Sequence, residues 1–167
     1  MAFSMLPTII ADSVTDLSVR LLHQREIKLL MLDFDNTIVP YTTNVPTPEM
    51  EHWLREIQAS DVKLCVVSNS RNDRVKHFCE KYGLDCITRA RKPFPTGIRK
   101  CINRYQIPPE HCALAGDQIY TDVMGARGCG VQAILVKAIH NHTIWLKLRH
   151  VAEMPFIFIS RNRRIPL

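Results

Sequence analysis

Asp33 and Asp35 stand one residue apart in Asp33-Phe34-Asp35-Asn36-Thr37, directly after the largely apolar run from Ile27 to Leu32. A run of that length reads as a buried strand, so both carboxylates emerge where the strand meets solvent. Ligands of open parallel sheets collect outside the carboxyl ends of the strands, and two acids placed there can divide nucleophilic and acid/base duties. Asp and Asn are also common turn residues, so on its own the stretch reads equally well as a strand followed by a polar turn.

Three further stretches end in the same way. Lys63 to Val67 runs into Ser68-Asn69, a short strand near Cys86 to Thr88 leads to Lys92-Pro93, and Cys112 to Ala115 runs into Gly116-Asp117, with Asp122 five residues on. Four strand ends in series therefore offer two acids, Ser-Asn, a lysine and two more acids. Hydrolysis of a phosphate monoester needs this set. The substrate is dianionic, so an attacking carboxylate requires positive charge at the phosphorus, and a Mg2+ ion on hard oxygen ligands supplies it. Asp33 and Asp117 are the candidate carboxylate ligands, and Lys92 adds a fixed ammonium. Ser68, Asn69 and the amides after Asp33 can cradle the phosphate oxygens. Asp33 can then attack while Asp35 handles the proton of the leaving alkoxide. Asp122 also fits a plain role as an acid at a helix start, and Arg71, Arg89 and Arg91 read as solvated surface.

The order and position of Asp33-Phe-Asp-Asn-Thr37, Val67-Ser68, Lys92-Pro93 and Gly116-Asp117 with Asp122 resemble the four motifs of the haloacid dehalogenase (HAD) superfamily of phosphatases. Asp-Asn-Thr, Lys-Pro and Gly-Asp-Gln-x-x-Thr-Asp together resemble the YqeG-like branch of its subfamily IIIA. The resemblance spans roughly residues 27–137. It implies that Asp33 forms an aspartyl-phosphate, that Asp35 is the general acid/base, and that Thr37 and Ser68 position the Asp pair and the phosphate. It further implies that Lys92 holds nucleophile and phosphate together. Asp33, the Asp35 backbone carbonyl and Asp117 would bind Mg2+, with Asp122 in the outer shell.

The elements that position these residues follow from periodicity and punctuation. A helix is expected over residues 12–25, started by Asp12 or Asp16. A loop crosses Pro40 and Pro46, and Thr47-Pro48-Glu49 starts a helix bearing Met50, Trp53, Leu54 and Ile57 on one face. Another helix, near 73–82, ends at Gly83. Ile98 to Tyr105 marks a third, and Thr121 is a candidate cap for a helix running to Gly128. Gly125 to Gly130 has the wrong glycine spacing for a dinucleotide fingerprint. Val131 to Val136 is a fifth strand, and Phe156 to Ile159 in the tail reads as a short edge strand. Alternating strands and helices predict a Rossmann-like α/β fold, with a central parallel sheet of about five strands covered on both faces. The expected organisation is a single domain over 1–167, with its catalytic core at about 27–137 and a packing helix and tail over 138–167. Only one helix and its connections fill each interval between motifs, so no cap domain is expected and the site is open.

The composition is that of a soluble globular protein, with 46% hydrophobic and 23% charged residues. The N-terminus lacks a secretory pattern and no apolar run is long enough to cross a bilayer, so a cytoplasmic protein, peripheral at most to a membrane, is expected. Six cysteines spaced singly read as reduced core thiols. The net charge of +6 suits anionic partners, namely phosphorylated substrates, nucleic acid or an anionic membrane surface. No RNA-binding motif accompanies it, which disfavours nucleic acid. The YqeG-like resemblance implies a lipid head-group substrate, phosphatidylglycerophosphate. Alternatives are a protein, nucleotide or sugar phosphate, or a ribosome- or RNA-associated binding module on the same scaffold.

Overall fold

Leu29–Leu32, the strand that precedes the two acids, has all four side chains buried. A strand flanked on both edges and covered on both faces has no polar side, and its sequence is continuous rather than alternating for that reason. The computed structural model describes residues 4–71 and 73–139. Its strands in chain order are β1 (Ile9–Ala11), β2 (Leu29–Leu32), β3 (Lys63–Val67), β4 (Asp85–Ile87), β5 (Cys112–Gly116) and β6 (Gln132–Val136). They form one sheet in the order β1-β6-β5-β2-β3-β4, with every pairing parallel.

The chain moves outward from β2 through β3 to β4, then returns to lay β5 on the other side of β2. That reversal opens a crevice at the carboxyl ends of β2 and β5, where ligands of such sheets bind. The register carries the acids into it. Leu32 lies level with Val66 on one side and Ala115 on the other, and the Asp33 N–H continues the ladder to the Ala115 carbonyl at 2.8 Å.

Alternate residues of each strand feed two cores. Leu30, Leu32, Leu64, Val66, Ala113 and Ala115 pack beneath α1 (Val19–Gln24), α2 (Pro48–Gln58) and α3 (Arg74–Tyr82). Leu29, Met31, Cys65, Val67 and Leu114 face α4 (Thr96–Tyr105) and α5 (Met124–Gly128). The caps are those that the residue types favour. Thr47 Oγ1 accepts from the Met50 N–H at 3.2 Å with Pro48 opening α2, and Gly83 closes α3 at φ 64°. All six cysteines are free thiols, and five of them are buried.

Two elements differ from expectation. The sheet has six strands, the additional one being β1, which pairs only with β6 and is too short to carry a period of its own. In place of one helix over 12–25, a single 3-10 turn (Val14–Asp16) precedes α1. Local bonds explain the break: Ser13 Oγ accepts from the Thr15 N–H at 3.2 Å, Asp16 Oδ2 accepts from the Ser13 N–H at 2.8 Å, and Ser18 then caps α1 anew. From residue 140 onward, the helix and tail expected after 138 lie outside the described residues. No helix among those residues is long and apolar enough to cross a membrane.

Trp53 joins α2 to the turn before α1, its buried indole Nε1–H donating to the Leu17 carbonyl at 2.9 Å. Trp53→Phe keeps most of the apolar contact but leaves that carbonyl without its donor, which costs about 1–3 kcal/mol. For a chain of this size the midpoint of thermal unfolding is expected to fall by about 2–4 °C per kcal/mol, which a calorimetric comparison with the parent will measure.

Candidate active site

The crevice gathers groups from four strand ends around one buried ammonium. Lys92 Nζ lies 2.6 Å from Asp33 Oδ1 and 2.7 Å from Asp122 Oδ1, and the lysine and both acids are almost wholly shielded from solvent. Burial works against the charged lysine, but the carboxylates of Asp122 and Asp33 more than offset it and hold its pKa above the ordinary value. Asp33 is pushed up to about 6, by burial first and by the neighbouring Asp122 as well, with Lys92 opposing.

The lysine is aimed by its own backbone. The Lys92 N–H donates to Asn69 Oδ1 at 2.6 Å and the Asn69 Nδ2 donates back to the Lys92 carbonyl at 2.9 Å, so one side-chain amide clamps the peptide from both ends. Asn69 and Lys92 meet because the ladder between β3 and β4 continues past the strands. The Ser68 N–H donates to the Ile87 carbonyl, the Ala90 N–H to the Ser68 carbonyl and the Arg89 N–H to the Ser70 carbonyl. Lys92-Pro93 is a cis peptide, and Arg89 and Arg91 have φ of 53° and 60° with exposed side chains. Ser68 Oγ is buried and accepts from the Ser70 N–H at 3.0 Å, which leaves its own proton to donate.

Asp122 reaches the cluster from a five-residue π-helical segment, Ile119–Val123, that follows β5 and runs into α5. This segment begins after Gln118, three residues before the Thr121 that was the candidate cap. The Thr121 hydroxyl instead donates to Gln118 Oε1 at 3.2 Å. Asp122 Oδ2 accepts from the Gln118 N–H at 3.1 Å, folding the side chain back over Gly116. A Cβ at position 116 would lie 2.4 Å from Asp122 Cγ, so only glycine admits that approach. Asp33, Asp117 and Asp122 each bring a carboxylate oxygen within 4.8 Å of the others'. A trio of buried hard oxygen donors at the carboxyl ends of the strands fits a divalent cation that keeps some positions for water or substrate.

Asp35 stands apart from this trio, its Oδ1 3.1 Å from Arg74 Nη1. Burial raises its pKa, with Arg74 and then Lys92 opposing. The chain between the acids turns tightly: the Phe34 carbonyl accepts from the Ile38 N–H at 3.0 Å, and Asn36 takes a left-handed φ of 61°, which Asn tolerates better than most residues. Thr37 Oγ1 is buried with no hydrogen-bond partner among the described residues.

The structure thus brings together Asp33, Lys92, Asp117 and Asp122, with Ser68 and Asn69 on the neighbouring strand end and Asp35 and Thr37 in the turn after β2. Sequence reasoning did not single out Arg74, whose partners lie far away in the chain, and did not anticipate that Asn69 spends its amide on the Lys92 peptide.

Residues 21–130 match the family described as haloacid dehalogenase-like hydrolase. The chain is 32% identical over 131 residues to the probable phosphatase YqeG of Bacillus subtilis, an alignment that covers 78% of this chain and 76% of that protein. Its fold is similar to the cobalt-bound deoxy-D-mannose-octulosonate 8-phosphate phosphatase YrbI of Haemophilus influenzae, with a TM-score of 0.55 and 12% identity over 82% of this chain and 91% of that one. It is likewise similar to a Legionella pneumophila protein assigned to subfamily III A of the HAD superfamily, at a TM-score of 0.55 and 12% identity over 84% of this chain and 93% of that one. These six parallel strands, with the buried acids at their carboxyl ends and the motifs they carry, place the chain among the haloacid dehalogenase-like hydrolases, to which it belongs.

Proposed function

We propose that the protein is a Mg2+-dependent phosphomonoester hydrolase that works through an aspartyl-phosphate on Asp33, and that its substrate is phosphatidylglycerophosphate. The observation that carries the chemistry is the buried Asp33–Lys92–Asp122 ion cluster beside Asp117, at the crevice where β2 and β5 end. Asp33, Asp117 and the Asp35 backbone carbonyl would hold the cation. Asp122, with one oxygen on Lys92 and the other on the Gln118 N–H, orients from the outer shell. When bound, the cation supplies positive charge that offsets the substrate dianion.

The protein's own groups do the rest. Asp33 Oδ2 attacks phosphorus while Lys92 holds Oδ1 and presents its remaining proton to a phosphate oxygen. The Ser68 hydroxyl and the Thr37 hydroxyl donate to the other oxygens. As the P–O bond to the leaving group breaks, a proton passes from the Asp35 carboxyl to the leaving alkoxide. Asp35 then takes one from the water that hydrolyses the acyl-phosphate. Asn69 acts through Lys92, whose peptide it clamps.

The lipid assignment rests on the likeness to the YqeG-like branch. An uncapped site suits a head group carried on a surface, and the +6 charge suits an anionic membrane. A cytoplasmic protein that visits that surface is the matching location. A screen of phosphate esters with and without Mg2+, including phosphatidylglycerophosphate in mixed micelles, is expected to give Mg2+-dependent phosphate release with preference for the lipid. A preferred protein, nucleotide or sugar phosphate overturns the lipid assignment, and no release from any ester overturns the reaction.

Three outcomes follow from the cluster. Asp33→Asn is expected to lower turnover about 10³-fold or more, as loss of a nucleophile does; a cellular role that survives the loss of turnover points instead to a binding module. Mg2+ at about 100 times its Kd is expected to stabilise the fold by about 2.7 kcal/mol, reversed by chelator, in thermal melts without substrate. Gly116→Ala is expected to push Asp122 off Lys92 and lower kcat at least as much as Asp122→Ala does, measured on the same ester.

A further inference from the structure

Arg74, at the start of α3, carries many contacts near the crevice, and the reaction scheme leaves it without a role. All three of its guanidinium nitrogens are committed. Nε donates to Asn44 Oδ1 at 2.7 Å, Nη1 to the Tyr41 carbonyl at 2.9 Å, and Nη2 to the Thr43 and Pro40 carbonyls at 3.0 and 3.3 Å. The guanidinium also lies 5.1 Å over the ring of Phe34 and 5.6 Å from that of Tyr41. Phe34, fully buried between the two acids, is itself wedged edge-on against Phe78 of α3 at 5.1 Å. The same Nη1 that holds Tyr41 stands 3.1 Å from Asp35 Oδ1.

One rigid side chain therefore fixes two things that sequence separates: the loop of residues 40–44 and the carboxyl of Asp35. A planar fork with delocalised donors suits this, whereas a point charge on a flexible stem does not. Asp35 Oδ1 is buried, while about a fifth of the Asp35 side chain remains exposed, so the part open to the crevice lies away from the oxygen that Arg74 engages. The loop folds back on the same turn, with the Tyr41 N–H donating to Asn36 Oδ1 at 3.2 Å and Val39 bridged to Asp35. It presents Tyr41 to solvent.

We propose that Arg74 is a positioning residue for proton transfer, which pins Asp35 Oδ1 so that Oδ2 carries the proton delivered to the leaving oxygen, and which ties that geometry to the loop over residues 40–44. The inference rests on the acid role given to Asp35 above. In the step it serves, the P–O bond breaks, the electron pair goes to the leaving oxygen, and the Oδ2 proton moves to that oxygen. Asp35 is left as a carboxylate whose Oδ1 already faces a cation.

The leaving group separates this role from mere scaffolding. Nitrophenolate departs without a proton, whereas an alkoxide needs one, and kcat/KM reports the steps up to that departure. Arg74→Ala is expected to lower kcat/KM about 100-fold for glycerol phosphate, within the range typical of general acid catalysis, and by no more than about fivefold for p-nitrophenyl phosphate. Arg74→Lys, which keeps a cation for Asp35 but cannot reach four acceptors, is expected to recover part of the alkyl activity, and it stands in if the alanine variant does not fold. Equal losses on both esters in either variant, or no loss, overturn the proposal. Asp35→Asn run alongside keeps the two readings apart. Selective loss of the alkyl ester in Asp35→Asn with none in the Arg74 variants sinks Arg74 alone; no selectivity in Asp35→Asn sinks the acid role itself.

Discussion

The site is organised by a single buried ammonium. Lys92 Nζ sits within 2.7 Å of both Asp33 and Asp122, and no one of the three could stay charged in that position alone. A buried carboxylate without a partner would take up a proton, and a buried lysine would lose one. Each is affordable only because the others are held in register, and most of the local structure exists to hold them. The β3/β4 ladder extended through Ala90 and Arg89 brings Lys92 to Asn69, whose amide grips its peptide. Gly116 gives up a side chain so that Asp122 can fold across it.

That arrangement leaves a purposeful imbalance. Asp33, Asp117 and Asp122 with Lys92 carry two formal negative charges among four residues, and Asp33 registers the crowding in a pKa pushed up to about 6. Burial and the like charge of Asp122 raise it while Lys92 restrains it. A divalent cation held beside Asp33 would oppose that rise and favour the ionised carboxylate. The same charge excess would let a bound divalent cation stabilise the fold.

The sequence was most informative where polar residues interrupt apolar runs. A strand buried on both faces has to be apolar throughout, so Asp33, Ser68 and Asp117 stand out as the first polar side chains after β2, β3 and β5. It said little where the decisive contact is distant or the element small. β1 is three residues long and defined by its pairing to β6. The break between the turn at Val14–Asp16 and α1 depends on Ser13 and Asp16 bonding to nearby backbone rather than on periodicity. Asn69 has the right type and place for a phosphate donor, and nothing in its neighbours along the chain reveals that the Lys92 peptide claims both ends of its amide. Arg74 is a surface-type residue in the first turn of a helix, and its partners Asp35 and Asn44 lie 30 or more residues earlier.

The two acids of the opening pair end in opposite environments, Asp33 against Lys92 and Asp35 against Arg74. Asp33 continues the β2 ladder and faces the Lys92 ammonium. Asp35 lies past Phe34 in the turn, away from the acid trio, where burial raises its pKa and the Arg74 guanidinium limits the rise. Phe34 separates them by filling the space beneath α3, so the spacing of one residue between the acids is set by an apolar anchor. A single-residue shift would place an acid in the core and the aromatic ring at the crevice, because alternate side chains leave a strand on opposite faces. The contrast between the surroundings of the two acids is therefore written into strand geometry before any substrate arrives.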